Sequence, residues 1–86
     1  MASYRLVWKR SAEKELHALP REVISRLIRL AEALPQDPFP DSARKLAGAE
    51  HTYRLRSGDY RLVYTVAREG LIVEVVRAAH RREAYR

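Results

Sequence analysis

The chain predicts an α+β fold in the order β-α-α-β-β-β, an antiparallel sheet packed against an N-terminal helical hairpin. Three observations carry this expectation. Apolar residues recur at helical spacing through residues 11–34, and with period two from residue 52 onward. The proline-rich stretch 35–41 separates these halves, since each proline lacks an N–H and biases its predecessor toward extended backbone. With 86 residues, 47% of them apolar and none cysteine, the chain has room for one small domain, 1–86, with a single core and no disulfide framework.

Tyr4-Arg5-Leu6-Val7-Trp8 is short and rich in aromatic and branched residues, and reads as a first strand. Ser11 suits the N-cap of a helix running to about Leu19, with Leu16 and Leu19 on its apolar stripe. Pro20 suits the first residue of a second helix ending near Leu34, in which Val23, Ile24, Leu27, Ala31 and Leu34 line one side. Pro35 to Asp41 crosses between layers. Thr52–Arg56, Asp59–Ala67 and Gly70–Arg77 then read as three strands, joined by turns at Ser57-Gly58 and Arg68-Glu69.

Composition narrows the function classes. Without cysteine there is no thiol nucleophile and no cysteine-ligated zinc, and His17 and His51 lack a metal-binding spacing, so no metal and no cofactor are expected. No apolar run is long enough to span a membrane, and the cytoplasm is the expected location. The net charge is +6, and 14 of the 17 cationic residues are arginine, whose planar fork grips phosphate at two points. Five of those six net charges fall in residues 54–61 and 77–86, a concentration that suits a polyanion such as nucleic acid or a solvated basic face.

A two-residue loop at Ser57-Gly58 would set Arg56 against Asp59, Leu55 against Tyr60 and Arg54 against Arg61. Alternation then gives Tyr53, Leu55, Tyr60, Leu62 and Tyr64 to the core side and the charged residues to the other. Arginines directly opposite one another are unfavourable unless an anion lies between them or both side chains splay into water. The ending Arg77-Ala78-Ala79-His80-Arg81-Arg82-Glu83-Ala84-Tyr85-Arg86 adds groups capable of chemistry. Cleaving RNA requires a base for the 2′-OH, donors for the charge of the phosphorane and an acid for the leaving 5′-oxygen. Arginine serves the second role only, because it stays protonated. His80 can serve as base or acid, Tyr85 can orient the nucleophile or stack on a base, and Arg54, Arg56, Arg61 and Arg81 can hold phosphate. Glu83 reads chiefly as a salt-bridge partner.

The order of elements, the segment Tyr53-Arg54-Leu55-Arg56-Ser57-Gly58-Asp59-Tyr60-Arg61-Leu62-Val63-Tyr64, the Lys45-Leu46-Ala47-Gly48 stretch and the ending His80-Arg81-Arg82-Glu83-Ala84-Tyr85-Arg86 resemble the RelE/ParE superfamily of bacterial and archaeal toxins over essentially the whole chain. The resemblance implies the toxin of a type II toxin–antitoxin module. For the RelE branch it implies a metal-independent endoribonuclease, an mRNA interferase. Such an enzyme cuts messenger RNA in the ribosomal A site, touches 16S rRNA and leaves a 2′,3′-cyclic phosphate. A cognate antitoxin would silence it.

Carried onto this chain, the family's third-strand arginine falls on Arg61, the arginine after the fourth strand on Arg81 and the terminal tyrosine on Tyr85. The basic pair of the second strand falls on Thr52 and Arg54 or on Arg54 and Arg56. Where other members have lysines this chain has Arg or Thr, so a lysine that could accept the proton is missing; some relatives use a histidine near the chain end, and the resemblance therefore makes His80 the preferred acceptor. Lys45, Arg77 and Arg82 complete the expected RNA-binding set. Lys9, Arg10, Arg26 and Arg29 read as a wet helix surface able to add salt-sensitive contacts to rRNA. The same resemblance leaves open a ParE-like poison of DNA gyrase without nuclease activity, or an inert antitoxin-binding relative. Trp8, Tyr4, Tyr53, Tyr60 and Tyr64 could stack on bases, but four of the five fall on sheet faces, where an aromatic is more often core.

Overall fold

In a computed structural model, which describes residues 3–80, the chain runs β1 (Arg5–Trp8), α1 (Arg10–His17), α2 (Arg21–Ala33), β2 (Arg44–Lys45), β3 (Thr52–Ser57), β4 (Tyr60–Ala67) and β5 (Ile72–His80). The strands form one five-stranded sheet in the order β1-β5-β4-β3-β2. The expected α+β architecture and helical hairpin are present. Two features add to it. β1 runs parallel to β5, with Arg5 opposite Ile72 and Trp8 opposite Val75, so the sheet is mixed. A two-residue strand β2 pairs with β3; Arg44-Lys45 carries no apolar alternation by which a strand could be recognised.

Both helices begin differently from expectation. The chain is still extended at Lys9, whose N–H donates to Val75 O, and it turns into α1 at once, so Lys9 is the N-cap and Ser11 lies inside the first turn. Pro20 is the N-cap of α2 rather than its first residue: at φ −58° and ψ 147° it is extended, and its carbonyl accepts from Val23 and Ile24 N–H. Proline's fixed φ serves either position.

One side of the sheet packs against the helices. Leu55, Leu62, Tyr64, Val66, Val73, Val75 and Ala78 meet Ala12, Leu16, Val23, Leu27, Ala31 and Leu34 in a common core. The connector after α2 is tied to the same core. Tyr64 donates its hydroxyl to Pro38 O at 2.9 Å, and Phe39, Tyr53 and Tyr64 form a chain of ring contacts with centroids 5.2 and 5.8 Å apart. Burial pushes the Tyr64 phenol well above the ordinary tyrosine range, helped by the nearby Tyr53 and Asp37. No helix of the described residues is long and apolar enough to cross a membrane.

Candidate nucleic-acid interface

The β3–β4 hairpin closes on Gly58-Asp59, with Ser57 opposite Tyr60, rather than on Ser57-Gly58. The first loop residue has φ +60°, a conformation glycine adopts freely and serine does not, so the turn is placed with Gly58 first. This shifts the expected pairing by two residues. A shift of two preserves which side each residue takes, so the expected division of faces holds, while the partners change. Arg56, not Arg54, stands opposite Arg61; Arg54 stands opposite Val63.

The side of β3 and β4 turned away from the helices therefore carries Arg54, Arg56 and Arg61. β2 extends it, because Arg44 is the partner of Arg54. Arg44 also donates to the carbonyls of Asp41 and Ala43 at 2.8 and 3.0 Å, which holds it to its own connector. Lys45 is the partner of Tyr53 and so belongs to the other side of the sheet, apart from the arginines.

Simple alternation from Val73 and Val75 would send Arg77 into the core. An irregularity between Val63 and Tyr64 prevents this: Tyr64 pairs with Val75 and Val63 with Arg77, so Val76 is an extra residue and Ala78 takes the inward place beside Leu62. The bulge re-aims Arg77 to the outer side. There its Nε donates to both carboxylate oxygens of Glu15, at 3.2 and 3.0 Å, while Ala78 N–H donates to Oε1 at 3.1 Å. β1 ends opposite Val75, so β5 is an open edge beyond that point, and the Glu15 carboxylate takes the place a neighbouring carbonyl would have. Glu15 lies 62 residues from Arg77, and no local pattern could have announced it.

Arg61 is the deepest of these cations at 6% exposure, and among the described residues it is the buried charged side chain. Val63 and Ala79, on the same outer side, are each 4% exposed although they lie outside the main core cluster. A guanidinium held this far from bulk water acts on an anion with less dielectric screening than an exposed one. His80 is the partner of Tyr60, their rings edge to face at 5.5 Å, and so it stands on the helix side of the sheet, not beside Arg61. Arg81, Arg82 and Tyr85 lie outside the described residues. Among the described residues no group of three or more His, Asp or Glu is placed to hold a metal ion.

This architecture has relatives. A family model described as the ParE toxin of the type II toxin–antitoxin system parDE matches residues 6–85. Toxin RelG of Mycobacterium tuberculosis is 31% identical over 87 residues, spanning 96% of this chain and 97% of the relative. Among solved structures, the isolated Escherichia coli RelE toxin superposes with a TM-score of 0.79 at 29% identity, covering 96% of this chain and 89% of that one. The RelE–RelB complex of Pyrococcus horikoshii OT3 gives a TM-score of 0.81 at 28% identity, covering 95% and 99%. With the family matched from β1 to beyond β5 and the fold shared throughout, the chain belongs to the RelE/ParE superfamily of type II toxin–antitoxin toxins.

Proposed function

We propose that the protein is a ribosome-dependent endoribonuclease that cuts messenger RNA in the A site without a metal and is silenced by a cognate antitoxin. The observation that supports this most is the outer sheet face, where Arg54, Arg56 and the deeply set Arg61 lie together on adjacent strands. In the proposed step the substrate's O2′ attacks the adjacent phosphorus, the P–O5′ bond breaks, and a 2′,3′-cyclic phosphate and a 5′-hydroxyl are left. Arg61 and Arg54, joined by Arg81, stabilise the added negative charge of the phosphorane. Tyr85 orients the nucleophile. The placement of His80 with Tyr60 argues against the imidazole as the proton acceptor.

The solved RelE–RelB complex from Pyrococcus horikoshii supports an antitoxin partner for this chain as well. Contacts with messenger and 16S rRNA would be made through the basic face and would weaken with salt. Such a target places the activity in the cytoplasm.

Primer extension on a messenger translated in a reconstituted system, with and without ribosomes, tests the proposal. Wild type should cut at defined codon positions only when ribosomes are present, and Arg61→Ala should not cut. The ParE family match favours one other reading, a gyrase poison of the same fold. Growth arrest by wild type with no cut in any messenger would establish that reading instead.

A further inference from the structure

A second group of arginines meets the face just described at the end of β3, where Arg56 belongs to both. Arg26 and Arg29, one turn apart on α2, line a cavity of about 230 Å³ together with Leu30, Arg56 and Ser57. Three arginines thus border one cavity from two elements, α2 and the end of β3. None of the three has a carboxylate within ion-pair distance among the described residues, in contrast to Arg77 with Glu15. The contact Arg56 does make is to its own turn, Nε to Gly58 O at 3.5 Å. Like charges bordering one cavity repel, and an anion seated among them removes the repulsion while engaging several forked donors.

We infer that this cavity is a subsite for a backbone phosphate of single-stranded RNA, adjacent to the phosphate held at Arg54 and Arg61. The inference rests on the RNA reading above and extends it. Arg56 joins the two places: it stands directly opposite Arg61 and two residues along β3 from Arg54, roughly 7 Å away at the ordinary rise of a strand. A chain with a phosphate at every nucleotide can therefore occupy both without leaving the surface. Ser57 adds a hydroxyl donor and Leu30 an apolar wall that suits a sugar, a mixture that fits a nucleotide better than a bare carboxylate.

The test is fluorescence anisotropy of a labelled, uncleavable 2′-O-methyl RNA octamer over a range of salt. Wild type is compared with Arg26→Gln/Arg29→Gln and with Arg21→Gln, a change at an exposed position of the same helix that does not line the cavity. Glutamine keeps helix propensity, and melting curves check that each variant is folded. The double variant should bind about tenfold more weakly, with the slope of log affinity against log salt reduced by about 0.7, the signature of one lost phosphate contact. Arg21→Gln should match wild type. Unchanged affinity in the double variant, or an equal loss in Arg21→Gln, overturns the subsite. So does a wild type that ignores the octamer but binds an oligoglutamate peptide in an Arg26- and Arg29-dependent way, which assigns the cavity to a protein partner. Binding neither probe overturns it too. The nuclease proposal fails separately: a toxin that binds the octamer through Arg26 and Arg29 yet cuts no messenger keeps the subsite and loses the nuclease.

Discussion

The two sides of the same three strands obey different rules. Toward the helices, Leu55, Leu62, Tyr64 and Val75 are almost fully buried; on the other side the neighbouring positions are Arg54, Arg56, Arg61 and Arg77. The inner side is held by apolar area removed from water, a non-directional force that fixes the register. The outer side gathers like charges that the inner side compels to stay together. On the proposed function, stability and activity fall to alternate residues of one strand, and adjacent substitutions should separate them.

The sharpest break of that division is at Arg61 and Leu62. Arg61→Ala should lower messenger cleavage on the order of 10²–10³-fold, the cost of removing one preorganised donor to a developing charge. Leu62→Ala removes a fully buried side chain and should cost ~2–5 kcal/mol, abolishing activity through loss of fold. Primer extension beside thermal melting distinguishes them. If Arg61→Ala melts as early as Leu62→Ala, the two sides are not separable and the arginine is part of the core.

Glu15 links the sides. It reaches from α1 around the free edge of β5 to Arg77 and the Ala78 N–H. Both partners of the ion pair are about a third exposed, so solvent screens part of it. Glu15→Ala should cost ~1–2 kcal/mol, mostly from the Ala78 N–H left without its acceptor and the lost Arg77 Nε bonds, and Glu15→Gln roughly half of that. A melting temperature unchanged in both variants would show that the edge finds water instead.

Much of this division is legible in the sequence, and what is not has a physical cause. Period-two alternation fixes which of Tyr53 to Tyr64 face inward, and that survives the misplaced turn because the error is two residues. The turn itself depends on which residue must take a positive φ, and a Ser-Gly-Asp sequence is read correctly only by asking that of Gly58. The Val76 bulge defeats alternation altogether: nothing in Val75-Val76-Arg77 says that one residue is extra, yet it decides where Arg77 points. Glu15 and the Arg26–Arg29–Arg56 cavity come from chain segments far apart in sequence, and only the folded packing brings them together. His80 is the instructive case, since proximity in sequence to Arg81 suggests a shared site while the register puts the imidazole with Tyr60.

On the inner side, Tyr64 makes stability depend on alkaline pH. In the folded chain burial keeps its phenol protonated far above the range where the unfolded chain ionises, about pH 10. The stabilisation is therefore complete below that value and falls as pH rises through and beyond it, because only the unfolded state releases the proton. Tyr64→Phe should lose ~1 kcal/mol at neutral pH with the bond to Pro38 O, and should then decline less steeply than wild type above pH ~10. Parallel alkaline limbs in denaturant titrations would show that Tyr64 does not govern that loss.

The smallest effect is expected at His80, and it tests the boundary between the sides. An imidazole that moved the proton of the 2′-OH would make His80→Asn cost on the order of 10²–10⁴ in cleavage rate, with a pH–rate profile that loses one limb. A ring packed edge to face on Tyr60 contributes only ~0.5–1 kcal/mol to folding. The register places it on the Tyr60 side, so His80→Asn should lower the melting temperature slightly, leave the cleavage rate within about threefold and keep the wild-type pH profile. Tyr60→Ala should then lower stability by more than His80→Asn and make the second change nearly neutral, since the imidazole would have lost the ring it packs against. A large rate loss confined to His80→Asn would move the imidazole to the arginine side and return proton transfer to it.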